Sequence, residues 1–133
     1  MVEGEKKFTN AGHLKPGSFV LIDGFACQVR STDKSKPGKH GSAKVRVVAF
    51  DVFSNQKRGL LKSTGMDVDV PIMLKGSAQV VAIMGDIIQI MDLSSYETFD
   101  VKKPADIQGL ASGIEVEYMR WGDQVKISRK KGS

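Results

Sequence analysis

Phe19-Val20-Leu21-Ile22-Asp23-Gly24-Phe25-Ala26-Cys27-Gln28-Val29-Arg30 sets two β-prone runs on either side of an Asp-Gly pair. A two-residue hairpin turn needs positive φ at both central positions, which Asp and Gly tolerate, so the stretch reads as an antiparallel hairpin. Strand signals continue downstream. Val45, Val47 and Ala49 alternate with Lys44, Arg46, Val48 and Phe50. The first half of that run is amphipathic, with Lys44 and Arg46 on the wet face, and the second half is apolar on both faces. Upstream, Gly12-His13-Leu14-Lys15-Pro16-Gly17 is a turn-rich approach in which His13 is expected to be structural. Asn55 to Gly65 is polar and glycine-punctuated and reads as a loop holding a helical turn; Met66 to Val70 makes a short strand that stops at Pro71.

Pro71 marks the expected boundary between domains 1–70 and 71–133. The second half opens a new strand series. Ala78 to Met84, a Gly85-Asp86 turn and Ile87 to Leu93 are followed by a segment starting over Ser94 to Asp100. Pro104 to Leu110 is expected to form one short helix, with Pro at an early position and Asp106 in the first turn. Glu115 to Arg120 and Gln124 to Arg129 flank Trp121-Gly122-Asp123. The expected fold class is all-β: a small SH3-like barrel followed by a second small barrel of the OB type. Gly17-Ser18 and Gly76-Ser77 open faintly similar segments, too short to establish a repeat.

At 133 residues the chain holds one ordinary domain or two small ones. A unit of about 65 residues buries only roughly 60% of its unfolded surface, so neither half has stability to spare. The lone Cys27 excludes an internal disulfide and is expected in the core, while His13 and His40 are not at ligand spacing, so no metal site is expected. No signal peptide and no membrane span are read from the sequence, and a cytoplasmic location is expected.

Charge is unevenly spread. Residues 1–70 hold 12 Lys+Arg against 7 Asp+Glu, whereas residues 71–133 hold 8 of each. Arg30, Lys34, Lys36, Lys39, Lys44 and Arg46 face only Asp33 between residues 30 and 46, so the whole excess of +5 sits in one hairpin. A focused patch of this kind fits a polyanion, because cationic side chains displace counterions condensed on phosphates. The alternative is a solvated turn that only keeps the protein soluble.

At its centre is Lys34-Ser35-Lys36-Pro37-Gly38-Lys39-His40-Gly41-Ser42-Ala43-Lys44, which has four lysines, no acid and no large apolar side chain. Pro37 stiffens the ascent, Gly38 and Gly41 permit the turn, and Lys39 with His40 falls between them at the apex. A catalytic lysine needs a desolvating pocket, which such a loop does not provide, and no paired carboxylates, nucleophile with base or Walker-type spacing occur elsewhere. No catalytic residue is assigned, and the protein is read as a non-enzyme.

Ser31-Thr32 followed by Lys36 to Val45 resembles the hypusine loop of the translation factor 5A family, and Ser63-Thr64 with Met66-Asp67-Val68 resembles the segment closing that family's first domain. The resemblance extends over essentially the whole chain, including Val80 to Asp92. Pro37 and Ser42 stand where eukaryotic members usually carry threonine and histidine, so the archaeal form is the nearer one. The lack of a third domain argues against the bacterial relative, elongation factor P.

This resemblance implies a specific role. Lys39 would receive an aminobutyl group from spermidine through deoxyhypusine synthase, giving deoxyhypusine or hypusine, with no other cofactor. The factor, historically classed with initiation, would bind the ribosome near its exit site and reach the acceptor end of the peptidyl-tRNA, promoting peptide-bond formation. Pro37, Gly38, His40 and Gly41 would shape the loop for the modifying enzyme, while Lys34, Lys36, Lys44 and Arg46 would hold RNA phosphates without reading bases. The free protein is expected to be a monomer without membrane contact. The competing reading is a general, non-catalytic RNA-binding module with affinity spread over several basic residues and no privileged lysine. In that reading the second half contributes little, since Tyr96, Phe99, Tyr118 and Trp121 are expected in core or turn packing and Arg129-Lys130-Lys131 in a frayed basic tail.

Overall fold

The computed structural model describes residues 3–35 and 43–131, and within them the chain is all-β, with eleven strands and one 3-10 turn. It divides into two compact units, one spanning Gly4–Ile72 and the other beginning at Met73.

The first unit contains β1 (Lys6–Asn10), a 3-10 turn over Ala11–His13, β2 (Phe19–Ile22), β3 (Phe25–Ser35), β4 (Lys44–Asp51), β5 (Lys57–Ser63) and β6 (Asp67–Pro71). Its curled sheet runs β2-β3-β4-β5, and β1 pairs with β6 in a ribbon that reaches the sheet through β2. The Asp23-Gly24 turn has φ of 52° and 83°, as the two-residue hairpin requires. Alternation along the strands sends Val20, Ile22, Cys27, Val29, Val45, Val47 and Ala49 into one core, closed by Leu14 and Val68. Asn55 to Gly65 does not form the expected helical turn. Lys57–Ser63 pairs along β4, from Phe50↔Lys57 to Lys44↔Ser63, and Leu60 packs on the core. Seven residues with a glycine among them gain little from a helix, whereas a ready-made edge satisfies their backbone at once.

The second unit contains β7 (Leu74–Met84), β8 (Ile87–Asp92), β9 (Thr98–Lys102), β10 (Glu115–Trp121) and β11 (Gln124–Lys130) in the order β11-β10-β7-β8-β9, with β11 returning towards β9. A first strand paired on both edges and a near-closed end are the OB arrangement. Its core holds Ala78, Val80, Ile88, Ile90, Val101, Val116, Tyr118 and Ile127. The short helix expected over Pro104 to Leu110 does not form: residues 105–106 make a turn, and Ile107 and Leu110 dock on the core from irregular backbone. A segment this short cannot offset helix nucleation, and Gly109 with φ of 77° breaks the path. Of the four aromatics expected in packing, Tyr118 and Trp121 are buried and Phe99 half-buried, but Tyr96 is 68% exposed.

Gly17 and Gly76 do not mark equivalent positions, since Gly17 lies in a turn and Gly76 inside β7. The internal likeness lies elsewhere. Asp51 Oδ1 accepts from the backbone N–H of Phe53 and Ser54, and Asp92 Oδ1 from those of Ser94 and Ser95. Ser54 and Ser95 each accept from the N–H two residues on, and Asn55 and Tyr96 both sit at positive φ, 63° and 62°. The same Asx-capped turn thus joins β4 to β5 and β8 to β9.

Candidate functional site: a basic hairpin on a buried stem

β3 and β4 remain paired well beyond the Asp-Gly hairpin, out to Lys34↔Val45 and Ser35↔Lys44. β5 continues the ladder on the far side of β4, and Thr64 N–H donates to Ala43 O at 2.9 Å. The stem is anchored from within: Val45 and Val47 are fully buried, each worth about 2 kcal/mol relative to exposure. A three-strand ladder over such a core holds the strand ends in fixed register. Lys36, Pro37, Gly38, Lys39, His40 and Gly41 lie outside the described residues.

Register sorts the cations that are described. Lys44 and Arg46 share the solvent face of β4 with Val48 and Phe50. Arg46 stands between Asp33 on β3 and Leu61 on β5, and Lys44 between Ser35 and Ser63. Lys34 does not join them. It stands opposite the buried Val45, on the inner-face register, and is exposed because the hairpin there outruns the core. A shift of one residue along a strand changes the face, so Lys34 and Lys44 address opposite sides of the stem.

Two cations further down extend the solvent face. The β3–β4 register slips between Val29 and Ser31, and the Arg30 guanidinium stacks 4.3 Å from the Phe50 ring centroid. Lys57 stands opposite Phe50 on β5. Arg30 belongs to the charge run visible in the sequence, but a bulge, which alone decides where it points, leaves no such trace.

The base of the stem is rigidly wired. Asp51 is 3% exposed, and Arg58 reaches its Oδ2 at 3.4 Å while stacking 3.7 Å from the Phe25 centroid. Burial first, and then the Asp51 carboxylate across the strand pair, push the Cys27 thiol up to about 11. Cys27 is therefore an inert core residue. His13 ends its short turn beside Thr9, whose Oγ1 lies 3.3 Å from Nδ1. Among the described residues no group of three or more His, Cys, Asp and Glu side chains is placed to hold a metal, and no helix is long and apolar enough to cross a membrane.

Comparison with known proteins agrees with this architecture. A family described as translation initiation factor 5A-like, N-terminal, matches residues 5–66. The chain is 47% identical over 121 residues to translation initiation factor 5A of Methanococcus vannielii, covering 91% of this chain and 92% of that one. It is also 47% identical over 126 residues to the factor of the same name from Methanocaldococcus jannaschii, covering 95% and 96%. The solved structure of eukaryotic translation initiation factor 5A from Methanococcus jannaschii superposes with a TM-score of 0.88 at 45% identity, covering 97% of this chain and 98% of that one. Similarity of this extent, on the same two-unit all-β fold, establishes that the chain belongs to the translation initiation factor 5A family and has a translation factor's role.

Proposed function

We propose that this factor acts through a single modified lysine, Lys39, carried between the ends of β3 and β4. Deoxyhypusine synthase transfers the aminobutyl group of spermidine to its Nζ, a new C–N bond replacing the one broken at spermidine's secondary amine and 1,3-diaminopropane leaving with the lysine proton, and the side chain then serves the ribosome, not a reaction of this chain's own. The added atoms lengthen it by about 6 Å at ordinary covalent spacing. One cationic nitrogen becomes two. A phosphate-lined cleft near the exit site, beside the acceptor end of the peptidyl-tRNA, admits such a chain where a protein loop is too wide. Positioned there, the factor promotes peptide-bond formation as a cytoplasmic monomer with no cofactor beyond this modification.

The observation that supports this reading is the ladder that runs in constant register from Ser31↔Val48 out to Ser35↔Lys44 over fully buried valines. A side chain that works by reach needs a base that does not bend. Lys44 and Arg46 on one face, with Lys34 on the other and Lys36 nearer the apex in sequence, supply phosphate contacts without base readout. Pro37, Gly38, His40 and Gly41 shape the apex for the synthase and the tRNA.

The test is peptide mass spectrometry of the protein from its native source. An aminobutyl-type addition on the Lys39 peptide is the expected result. An unmodified native pool overturns the proposal in favour of a general RNA-binding barrel protein.

A further inference from the structure

Thr64 lies just past the end of β5 and joins two segments through its backbone. Its N–H donates to Ala43 O at 2.9 Å, and its carbonyl accepts from Gly12 N–H at 3.0 Å. The first bond carries the β4–β5 pairing one residue beyond Lys44↔Ser63. The second ties Thr64 to the 3-10 turn, whose Ala11 is fully buried in the core and donates its own N–H to Met66 O at 2.8 Å. Met66 N–H closes the corner onto Ser63 O at 3.0 Å. A set of backbone bonds thus runs from the core of the first unit, through Thr64, to Ala43.

Gly12 permits this close approach. A Cβ there would stand 3.1 Å from Thr64 Cβ and 3.2 Å from Thr64 O, so a larger residue has to displace Thr64 by a few tenths of an ångström. Gly65 carries no such demand, since an added Cβ meets nothing within 4 Å. The spacing along the chain gives the bond to Ala43 a meaning. Seven residues separate Ser35, the last of β3, from Ala43, and Lys39 is the middle one. With the Thr64 bond gone, the nearest held residue on the returning arm is Lys44, and Lys39 is no longer central. Fixing both ends of a loop to a sheet reduces the conformations open to the residues between.

We propose that Thr64, seated on Gly12, is a positioning residue for Lys39: it holds the returning arm at Ala43, so that Lys39 is carried midway along the chain between two backbone points fixed to the core. This inference rests on the reading of Lys39 as the modified lysine. Thr64 acts on how often the factor presents Lys39 productively, not on the transfer step. The apparent affinity of a partner falls with the fraction of the competent arrangement. Loosening Thr64 therefore raises the KM of the modifying enzyme for the factor and leaves kcat in place.

The experiment takes two readouts on the full chain, both well below its melting temperature. Aminobutyl transfer from spermidine by deoxyhypusine synthase, with the factor as varied substrate, gives kcat and KM. Nitrogen-15 relaxation of the unmodified factor gives order parameters at Ala43 and Lys39 with no enzyme present. Gly12→Ala is expected to lower both order parameters and to raise KM about fivefold at unchanged kcat. Thr64→Pro, which deletes the donor to Ala43 O, is expected to raise KM about tenfold; if it fails to fold, Gly12→Ala decides. Gly65→Ala should match the parent in both readouts. Ile22→Val, a core truncation beside the Asp23-Gly24 turn, controls for a general loss of stability and should keep the parent's KM. The proposal is overturned if Gly12→Ala leaves the order parameters or KM at the parent's values, if its loss falls on kcat alone, or if Ile22→Val raises KM as much. Should the parent itself not be modified, the Lys39 reading fails, and relaxation alone decides the role of Thr64: lowered order at Ala43 and Lys39 in Gly12→Ala sustains it, and unchanged order overturns it.

Discussion

The Tyr118 hydroxyl donates a 2.5 Å hydrogen bond to Asp92 Oδ2. To reach it the phenol lies over Gly76, where an added Cβ would meet ring atoms at 2.7 Å. β10, β7 and the end of β8 are thereby tied by one side chain. The bond, reinforced by the N–H groups of Ser95 and Ser94, lowers the Asp92 carboxyl to about 2. Burial first, and then Asp92 itself, raise the Tyr118 phenol to about 12.

Tyr118→Phe is expected to cost about 1–2 kcal/mol between pH 5 and 9, after allowance for solvent screening. The depressed carboxyl contributes stability above its unfolded value, so the gap from the parent narrows as pH falls from about 4 to about 2. The raised phenol contributes stability below its own unfolded value, so the gap narrows again above about pH 10. Urea titrations of both proteins across this range check the profile; a gap independent of pH would mean the bond plays no part.

Gly76→Ala is expected to destabilise by about 2–3 kcal/mol, because the new methyl displaces the Tyr118 ring and breaks its bond to Asp92. Gly59, whose Cβ would come no nearer than 3.8 Å to Val47 O, is the control. Gly59→Ala should leave thermal stability close to the parent's.

Asp51→Ala should cost about 3 kcal/mol, since it removes the acceptor for two turn N–H groups and leaves Arg58 without its buried counter-charge. Asp51→Asn keeps the Oδ1 acceptor and should cost about 1 kcal/mol. Equal losses in chemical denaturation would place the effect in the charge alone.

With its thiol raised to about 11, Cys27 is expected to be nearly silent to a thiol reagent at pH 8, where about one thiol in a thousand is ionised. Unfolding in denaturant should release one full equivalent. Rapid labelling of the native protein would contradict both the burial and the Asp51 contact.

Lys39→Arg should keep the fold and the charge yet abolish the proposed promotion of peptide-bond formation, because arginine cannot take up the aminobutyl group. Gly38→Val or Gly41→Val should impair modification more than thermal stability. Full translation activity from the arginine variant would remove Lys39 from its central place.

Much of the molecule is legible in the order of residues. The Asp23-Gly24 hairpin, the alternation of Val45, Val47 and Ala49, and the +5 charge confined to one hairpin are local properties, set by φ preference, side-chain period and composition. The strand at Lys57–Ser63 and the irregular path of Pro104 to Leu110 were not legible, because a neighbouring strand edge in one case and a nearby core in the other outweigh weak local preference. Nor was the grouping of charges. Lys34 parts from Lys44 and Arg46, Arg30 stacks on Phe50, and Arg129 pairs with Glu117, through cross-strand register and bulges that join distant segments. The sequence by itself determined the Asp-Gly hairpin, the alternating strands and which loop carries the charge. Only the tertiary structure decided which side chains share a face, because a single-residue slip in pairing sends a side chain to the other side of the sheet.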